Sequence, residues 1–316
     1  MMETIKGIRT AEGVAQIDYD ALSNKPVIVN PNLLDNWYFG NPVNQRGFTT
    51  GPGYSSTEPY CIDRWLRTGY SAATITVDNG IVIDNASVTN GSSQIYQKLE
   101  NVLPNATYIA SVLVAEVSGT GTLSIADSGG NLLSGVTIST PGLHFVSYNG
   151  DKAARLFMGS RAKSKVKFTA VKLELGDVQT LAHQDANGNW VLNEIPNYAD
   201  QLARCQRYQL RIGYNFGSTY SVPIGVGIGY SETSIRVFVP TPVMMRTSPV
   251  ISYFGNGSIA NIKAYGNGGT VEITDIRSLM NNNTIQLIAT ASNVVAGEIY
   301  SLVPNVSAGI MLDANL

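Results

Sequence analysis

The chain is poor in the residues on which most enzymes and nucleic-acid-binding proteins depend. Of its 316 residues, 14% are charged, two are histidine and two are cysteine, and the net charge is -2. A chain with this balance has no electrostatic attraction for nucleic acid or for an anionic membrane. No apolar run approaches the roughly 20 residues that cross a bilayer. We therefore expect neither a nucleic-acid partner nor membrane insertion.

Few residues are placed for catalysis. His144 and His183 have no neighbours at the spacing of a catalytic motif or a zinc site. Cys61 and Cys205 lie far apart in unlike contexts, so we expect both to be reduced and buried. Gly225-Val-Gly227-Ile-Gly229 is glycine-rich, but strand-like residues follow it instead of the helix that a phosphate site needs. The sequence thus predicts no enzyme and no cofactor.

Two short segments imitate binding motifs. Asp185-Ala-Asn187-Gly-Asn189 resembles the start of a calcium loop, but Trp190 stands where the loop needs glycine and Pro196 where it needs glutamate. We therefore predict a turn and no metal. The basic run Arg161-Ala-Lys163-Ser-Lys165-Val-Lys167 alternates with small and apolar residues, which predicts the polar face of one strand instead of a phosphate-binding groove.

Glycine, serine, threonine and asparagine take the place of the missing charges, and this mix suits short strands and tight turns. Within residues 30–180, the segment from Lys165 to Leu175 alternates between the two faces of a strand. Asn79-Gly80 lies between two alternating segments and predicts a hairpin, because both residues tolerate a positive φ. Regular strands and turns over this region predict a jelly-roll β-sandwich.

Residues 211–316 show the same pattern. Segments rich in β-branched and aromatic residues begin at Ser234, Pro249, Thr270 and Thr284, and the chain ends on an apolar segment. We predict a C-terminal β-sandwich domain here. The predicted fold class is therefore all-β: a jelly-roll sandwich, one short helix and a second β domain.

Residues 181–210 form a turn and a helical linker between these domains. Pro196 precedes a segment of good helix formers, as at a helix start. Tyr198, Leu202 and Cys205 recur at spacings of four and three, which places them on one narrow face. Two interpretations follow: the helix packs on the sandwich of its own chain, or these three residues form a seam between chains in a trimer.

Residues 1–29 are too few for a domain. The start carries no apolar segment of a secretory signal, so we expect synthesis in the cytoplasm. Ile17, Tyr19 and Leu22 belong to a short segment that ends at Pro26, and such an arm needs an ordered partner to hold it. We predict that this leader serves attachment through these three residues.

Aromatic residues are the most promising binding groups, since the chain has 16 tyrosines and three tryptophans. Aromatic rings pack against the C–H groups of sugars while amides and arginine bond the hydroxyls. Trp37, Tyr60 and Arg64 are candidates for ligand binding, and Tyr54 lies in a Gly/Pro/Ser loop suited to an exposed contact. The alternative is that Trp37 and Trp65 belong to the core of the sandwich.

A set of short segments, in a fixed order along the chain, points to a known family. The most specific is Asn41-Pro-Val-Asn44-Gln45-Arg46-Gly47. The others are residues 17–26, 32–40, 60–65, 95–100, 172–176, 198–208, 242–249 and 312–316. Together they resemble phage and prophage tail fibre or receptor-binding proteins that contain a jelly roll like a carbohydrate-binding module.

The resemblance implies a homotrimer on the virion, made in the host cytoplasm. Its N-terminus, residues 1–29, would attach to other virion proteins of the baseplate or capsid. Its β domains would meet a glycan of the host cell surface. The short leader has no long coiled coil or shaft, so a short receptor-binding protein fits better than a long fibre.

Two other functions stay open at this point. The chain could be a capsid-attached head fibre or decoration protein with a structural role. It could also be a polysaccharide depolymerase, although no pair of general acid and base is recognisable in the sequence.

Overall fold

Nearly all of the regular structure is β-structure, which confirms the predicted all-β class. One α-helix and one 3₁₀ turn are the exceptions among the described residues. No helix in this part of the chain is long and apolar enough to cross a membrane. The computed structural model describes residues 9–10, 13–14, 29–50, 59–69, 73–213, 222–255, 258–281, 284–305 and 308–315.

β1 (Arg9–Thr10) and β2 (Gly13–Val14) form a separate two-stranded sheet. The strands that follow form a sandwich of two antiparallel sheets. They are β3 (Tyr60–Ile62), β4 (Trp65–Gly69), β5 (Thr74–Val77), β6 (Ile81–Asp84), β7 (Ser92–Lys98), β8 (Ala106–Ser118), β9 (Gly121–Ala126), β10 (Leu132–Ile138), β11 (Gly142–Gly150), β12 (Arg155–Arg161) and β13 (Lys165–Leu175). The order is β10-β9-β12-β7-β4-β3 in one sheet and β11-β8-β13-β6-β5 in the other.

A hydrophobic core fills the space between the two sheets. Trp65 and Met158 from the first sheet and Phe168 from the second are 0% exposed. β13 spans the residues that alternate in the sequence, as predicted. The hairpin of β5 and β6 is also confirmed, and Asn79 and Gly80 at its turn both have a positive φ.

The linker begins with the small hairpin of β14 (Ala182–Gln184) and β15 (Trp190–Leu192). The Asp185 carboxylate accepts the main-chain N–H of Asn187 and of Asn189, so this segment is the predicted turn. The helix α1 (Tyr198–Gln206) follows, with Asn197 as its N-cap.

A buried ion pair fixes the linker to the sandwich. Lys172 and Glu174 of β13 are both 0% exposed. The Lys172 Nζ lies 3.1 Å from a carboxylate oxygen of Glu194, and the Glu174 carboxylate accepts the Thr180 main-chain N–H at 2.6 Å. Because a buried charge without a partner is costly, these contacts hold both ends of the linker hairpin against the sheet.

The C-terminal strands form a closed barrel and a small sheet around a second core, and not the predicted β-sandwich. They are β16 (Gln209–Ile212), β17 (Gly225–Ser231), β18 (Ser234–Pro240), β19 (Val250–Gly255), β20 (Ile262–Gly266), β21 (Gly269–Asn281), β22 (Thr284–Ala291), β23 (Ile299–Pro304) and β24 (Ala308–Asp313). The strands β17-β18-β22-β21-β20-β23 close into a barrel, and β16-β24-β19 form a three-stranded sheet beside it.

Two glycines of β17 let this strand lie close to the neighbouring backbone of the barrel. A Cβ on Gly227 would lie 2.1 Å from the Arg236 carbonyl oxygen, and one on Gly229 would lie 2.2 Å from the Val295 carbonyl oxygen. Only glycine therefore lets β17 approach its neighbours this closely and pair with both β18 and β23. The glycine-rich segment is thus a barrel strand, and another strand, β18, follows it.

Candidate functional site

A groove of about 790 Å³ lies on the outer face of the β10-β9-β12-β7-β4-β3 sheet. Side chains such as Leu123 and Met158 point into the core, so the residues that alternate with them face outward. The pairing of the strands aligns these outward residues in two rows. They are Thr137, Thr122, Gly159 and Gln94 in one row, and Gly135, Ser124, Phe157 and Tyr96 in the other.

Gly159 at the centre of the first row lets the Gln94 side chain lie across β12. A Cβ at this position would lie 2.5 Å from Gln94 Cγ and 2.8 Å from the Ser93 carbonyl oxygen. Gly159 itself is buried and does not line the groove, whereas Gln94 does. The glycine therefore makes room for Gln94, whose side chain belongs to the groove surface.

Phe157 in the second row forms an aromatic platform. Its ring stacks on the fully buried Tyr96, with 4.7 Å between the ring centroids and 18° between the ring planes. The Arg155 guanidinium lies 5.7 Å from the Tyr96 centroid on the same face of the sheet. The Phe157 ring is therefore held in place and only partly buried. A supported, partly exposed ring can pack against the C–H face of a sugar.

The rest of the lining combines apolar residues, such as Leu132 and Val136, with polar ones, and none of them is acidic. Its polar side chains are Asn90, Ser92, Gln94, Thr120, Thr122, Ser124, Thr137 and Arg161. Hydroxyls and amides both donate and accept, as sugar hydroxyls do. The Thr122 Oγ1 is covered and has no hydrogen-bond partner among the described residues. No Asp or Glu lines the groove, so its described lining offers no carboxylate pair for glycoside hydrolysis.

The predicted tryptophan site is wrong. Trp37 is 3% exposed and Trp65 is 0% exposed, and both belong to the sandwich core. The Trp65 Nε1 donates to the Asn36 carbonyl oxygen at 2.9 Å. Rings placed in this way cannot stack on a sugar. Trp37 and Trp65 are core residues, as the alternative interpretation proposed.

Arg64 is also used inside the chain and not for a ligand. It is 2% exposed, its Nε lies 3.1 Å from an Asp35 carboxylate oxygen, and its Nη2 donates to the Lys98 carbonyl oxygen at 2.9 Å. Its guanidinium carbon lies 3.5 Å from the centroid of the Tyr208 ring. These contacts satisfy the cation and tie the end of the helix to the sandwich.

Tyr60 lies on β3, the edge strand of the same sheet, and is half-buried. The Arg46 guanidinium carbon lies 4.9 Å from the centroid of its ring. Burial raises the pKa of the Tyr60 hydroxyl above its usual range. Tyr60 does not line the groove, which lies over β7, β9, β10 and β12. The remaining candidates, Tyr54, Ile17, Tyr19 and Leu22, lie outside the described residues.

The three helix residues predicted to meet other chains have different surroundings. Cys205 is 0% exposed within the single chain, as the prediction of a reduced, buried cysteine requires, and Cys61 is likewise free and buried. Cys205 therefore packs inside its own chain and is not available to a seam. Leu202 is partly buried, and Tyr198 is 44% exposed. A contact of these two with another chain stays a prediction.

A buried polar network joins the sandwich to the C-terminal strands. The Asp63 carboxylate, 0% exposed, accepts the Gln45 main-chain N–H at 3.1 Å, the Gln45 amide at 2.6 Å and the Gln209 amide at 3.3 Å. Arg46 donates to the Gln209 side chain, and Arg211 donates to the Gln45 carbonyl oxygen, both at 2.5 Å. The segment with the most specific family resemblance thus lies at this junction and not in the groove.

The histidines are not placed as catalytic groups. The His144 Nε2 lies 2.8 Å from the Thr140 carbonyl oxygen, and the His183 Nδ1 lies 2.5 Å from the Asn193 side-chain oxygen. Both contacts are exposed and join residues that are close in sequence. The described residues contain no group of three or more His, Cys, Asp or Glu that could hold a metal ion.

The groove was not predicted from the sequence, because β12 was not recognised as a strand. The prediction that the basic run forms the polar face of one strand is wrong. Arg161 ends β12, Lys163 has φ 56° in a turn, and Lys165 begins β13. The signal that was present is the outward aromatic Phe157, two residues before a glycine in an otherwise strand-like segment.

Comparison with known proteins gives structural likeness only. No family model and no curated protein matches the chain. A variant of a family 29 carbohydrate-binding module covers 40% of this chain and 91% of its own length, at 10% identity and a TM-score of 0.28. A proposed sugar-binding protein from Bacteroides thetaiotaomicron covers 46% of this chain and 100% of its own length, at 13% identity and a TM-score of 0.31.

A second variant of the family 29 module, solved with mannohexaose, covers 40% of this chain and 90% of its own length, at 8% identity and a TM-score of 0.28. Likeness at these identities and TM-scores carries no argument about what this chain binds. The functional argument therefore depends on the geometry of the groove.

Proposed function

We propose that this chain is a glycan-binding protein and that the groove of its sandwich holds the sugar. The observation that carries the proposal is the supported, partly exposed ring of Phe157 beside polar side chains. Thr122 and Gln94 lie in the neighbouring row, and both line the groove together with Phe157. A sugar ring would pack on Phe157 while its hydroxyls bond the amide and hydroxyl groups.

Binding, not hydrolysis, is the activity that this lining supports. Glycoside hydrolysis uses two carboxyl groups on either side of the scissile bond. The groove has hydroxyls, amides and one arginine among its described lining residues. Incubation with host polysaccharide and an assay for new reducing ends distinguishes the two activities.

Replacing Phe157 with alanine should weaken glycan binding about tenfold, which corresponds to about 1.4 kcal/mol, because the stacking ring is lost. A glycan array with the full chain identifies the strongest ligand. Titration calorimetry of that glycan against both proteins then gives the two affinities. The conservative variant Phe157→Tyr should retain most of the affinity.

The matched control is Phe238→Ala. Phe238 is 53% exposed on β18 of the barrel, so the same substitution there removes an exposed ring away from the groove. It should leave the affinity unchanged. Equal affinities of the Phe157→Ala protein and the unmodified chain would place the sugar elsewhere.

We also propose, from the family resemblance of the sequence, that the chain is a virion fibre or receptor-binding protein. It would attach through residues 1–29 to the baseplate or capsid and form a homotrimer. The capsid-attached head fibre with a structural role is the alternative. The solution mass at micromolar concentration should correspond to three chains, and a monomer would contradict the proposal. Antibody labelling of particles in the electron microscope distinguishes tail from capsid.

A further inference from the structure

We infer that the glycan bound in the groove is acidic and that Arg161 binds its anionic group. This inference rests on the proposed function, since it names the class of glycan for the same groove. The anionic group is a carboxylate or a phosphate diester, because a guanidinium binds both by paired N–H donors.

The charged residues on the outward face of the groove sheet favour an acidic ligand. The outward positions of β7, β9, β10 and β12 include the cations Lys98, Arg155 and Arg161. None of the outward positions on these four strands is Asp or Glu. The chain as a whole has more acidic than basic residues, 23 against 21. The outward face of these four strands is therefore positively charged, although the net charge of the chain is negative.

Arg161 differs from the other arginines because its guanidinium has no partner among the described residues. It is exposed at the end of β12, pairs with Ser92 across the strands, and lines the groove. The other arginines with described side chains contact a carboxylate, a carbonyl oxygen or an aromatic ring. They are Arg46, Arg64, Arg67, Arg155, Arg204, Arg207, Arg211, Arg236, Arg246 and Arg277.

The main chain holds this arginine in place while its side chain stays free. The Arg161 main-chain N–H donates to the Thr120 carbonyl oxygen at 2.9 Å. Arg161 lies four residues beyond Phe157 on the same face of the same strand, which corresponds to about 13 Å. An oligosaccharide of a few units that packs on Phe157 therefore reaches the guanidinium with an acidic group further along its length.

Pairs of acidic and neutral glycans on the same backbone test the inference with the full chain. We would use oligogalacturonate and its carboxyl-reduced form, a sialylated glycan and its desialylated form, and polyglycerol phosphate as the phosphate diester. The chain should bind at least one acidic glycan about tenfold more tightly than the neutral glycans, with an affinity that falls as NaCl rises from 50 to 500 mM. The acidic glycan that binds most tightly shows whether the anionic group is a carboxylate or a phosphate diester.

The variant Arg161→Gln should lose this preference and bind acidic and neutral glycans alike, whereas Arg161→Lys should retain part of it. Arg277→Gln is the matched control, since Arg277 is an exposed barrel arginine and its loss should change neither affinity. Equal binding of acidic and neutral glycans by the unmodified chain, or an unchanged preference in Arg161→Gln, would overturn the inference and leave the proposed function standing. Absence of binding to every glycan on a broad array would overturn both.

Discussion

Replacing Asn36 with alanine should lower the free energy of unfolding of the sandwich by about 4 kcal/mol. Asn36 is 2% exposed and has φ 52°. Its side-chain amide donates to the Val43 and Asp63 carbonyl oxygens, each at 2.8 Å, and its side-chain oxygen accepts the Val43 N–H at 2.7 Å. Alanine loses all three bonds, leaves buried polar groups without partners, and adopts a positive φ less readily than asparagine.

The position of Asn36 makes this loss larger than that of an ordinary turn residue. Its main-chain N–H donates to the Gln201 side chain of the helix at 2.7 Å, and its carbonyl oxygen accepts the Trp65 indole N–H at 2.9 Å. One residue thus connects the helix, the core and the junction. Displacement of its backbone would disturb each of these contacts.

Urea unfolding followed by tryptophan fluorescence measures the effect, because Trp37 and Trp65 lie beside Asn36 in the core. Asn79→Ala is the matched control: Asn79 also has a positive φ, 41°, but is exposed in a hairpin turn, so the loss there should be about 1 kcal/mol. Asn36→Gly also loses the side-chain hydrogen bonds but adopts a positive φ readily. It therefore separates the effect of the lost bonds from the effect of the backbone conformation. A loss below about 1 kcal/mol in Asn36→Ala would show that the network does not stabilise the fold.

The second large effect concerns Asp63 at the junction and depends on pH. Burial raises the pKa of its carboxyl from 3.8 to about 6, although bonds from Gln45 and the charge of Arg46 offset part of this. The folded protein therefore holds a proton more firmly than the unfolded chain. The free energy of unfolding therefore falls as pH rises from about 4 to about 6, because the buried carboxyl loses its proton. Above pH 6 the ionised carboxylate lowers the free energy of unfolding by about 3 kcal/mol.

Asp63→Asn removes the titration and should remove this dependence. The free energy of unfolding of the unmodified chain, minus that of the variant, should fall by about 3 kcal/mol between about pH 4 and about pH 7. Urea midpoints across this range provide the measurement. Asp151→Asn, at an exposed position of the sandwich, should follow the unmodified chain at every pH. Parallel profiles for Asp63→Asn and the unmodified chain would contradict a raised pKa at the junction.

Elements with a strong local signal could be predicted from the sequence. The alternation from Lys165 to Leu175 coincides with β13, because a strand buried on one face needs apolar side chains at every second position. The helix after Pro196 begins one residue beyond its Asn197 cap, because a side-chain acceptor satisfies a free N–H at the helix start. Both patterns depend only on residues that are close in sequence, so they can be recognised without knowledge of the tertiary structure.

Individual site residues could not be predicted in the same way. Trp37 and Arg64 have the residue types of a sugar site, but the packing of the two sheets buries Trp37, and Tyr208 after the helix covers Arg64. Residue type alone does not distinguish a ring in the core from a ring in a groove, because burial depends on which face of the sheet a residue occupies and on what covers that face.

The low charge, the scarcity of histidine and cysteine, and the alternation of apolar residues determined by themselves that this is an all-β chain with few groups for catalysis. Only the tertiary structure decided where a ligand could bind. Phe157, Gly159, Gln94 and Thr122 come from three strands that are distant in sequence, and they meet because the pairing of β12 with β7 and β9 aligns them. Strand register is a property of the whole sheet, so the groove exists only in the folded chain.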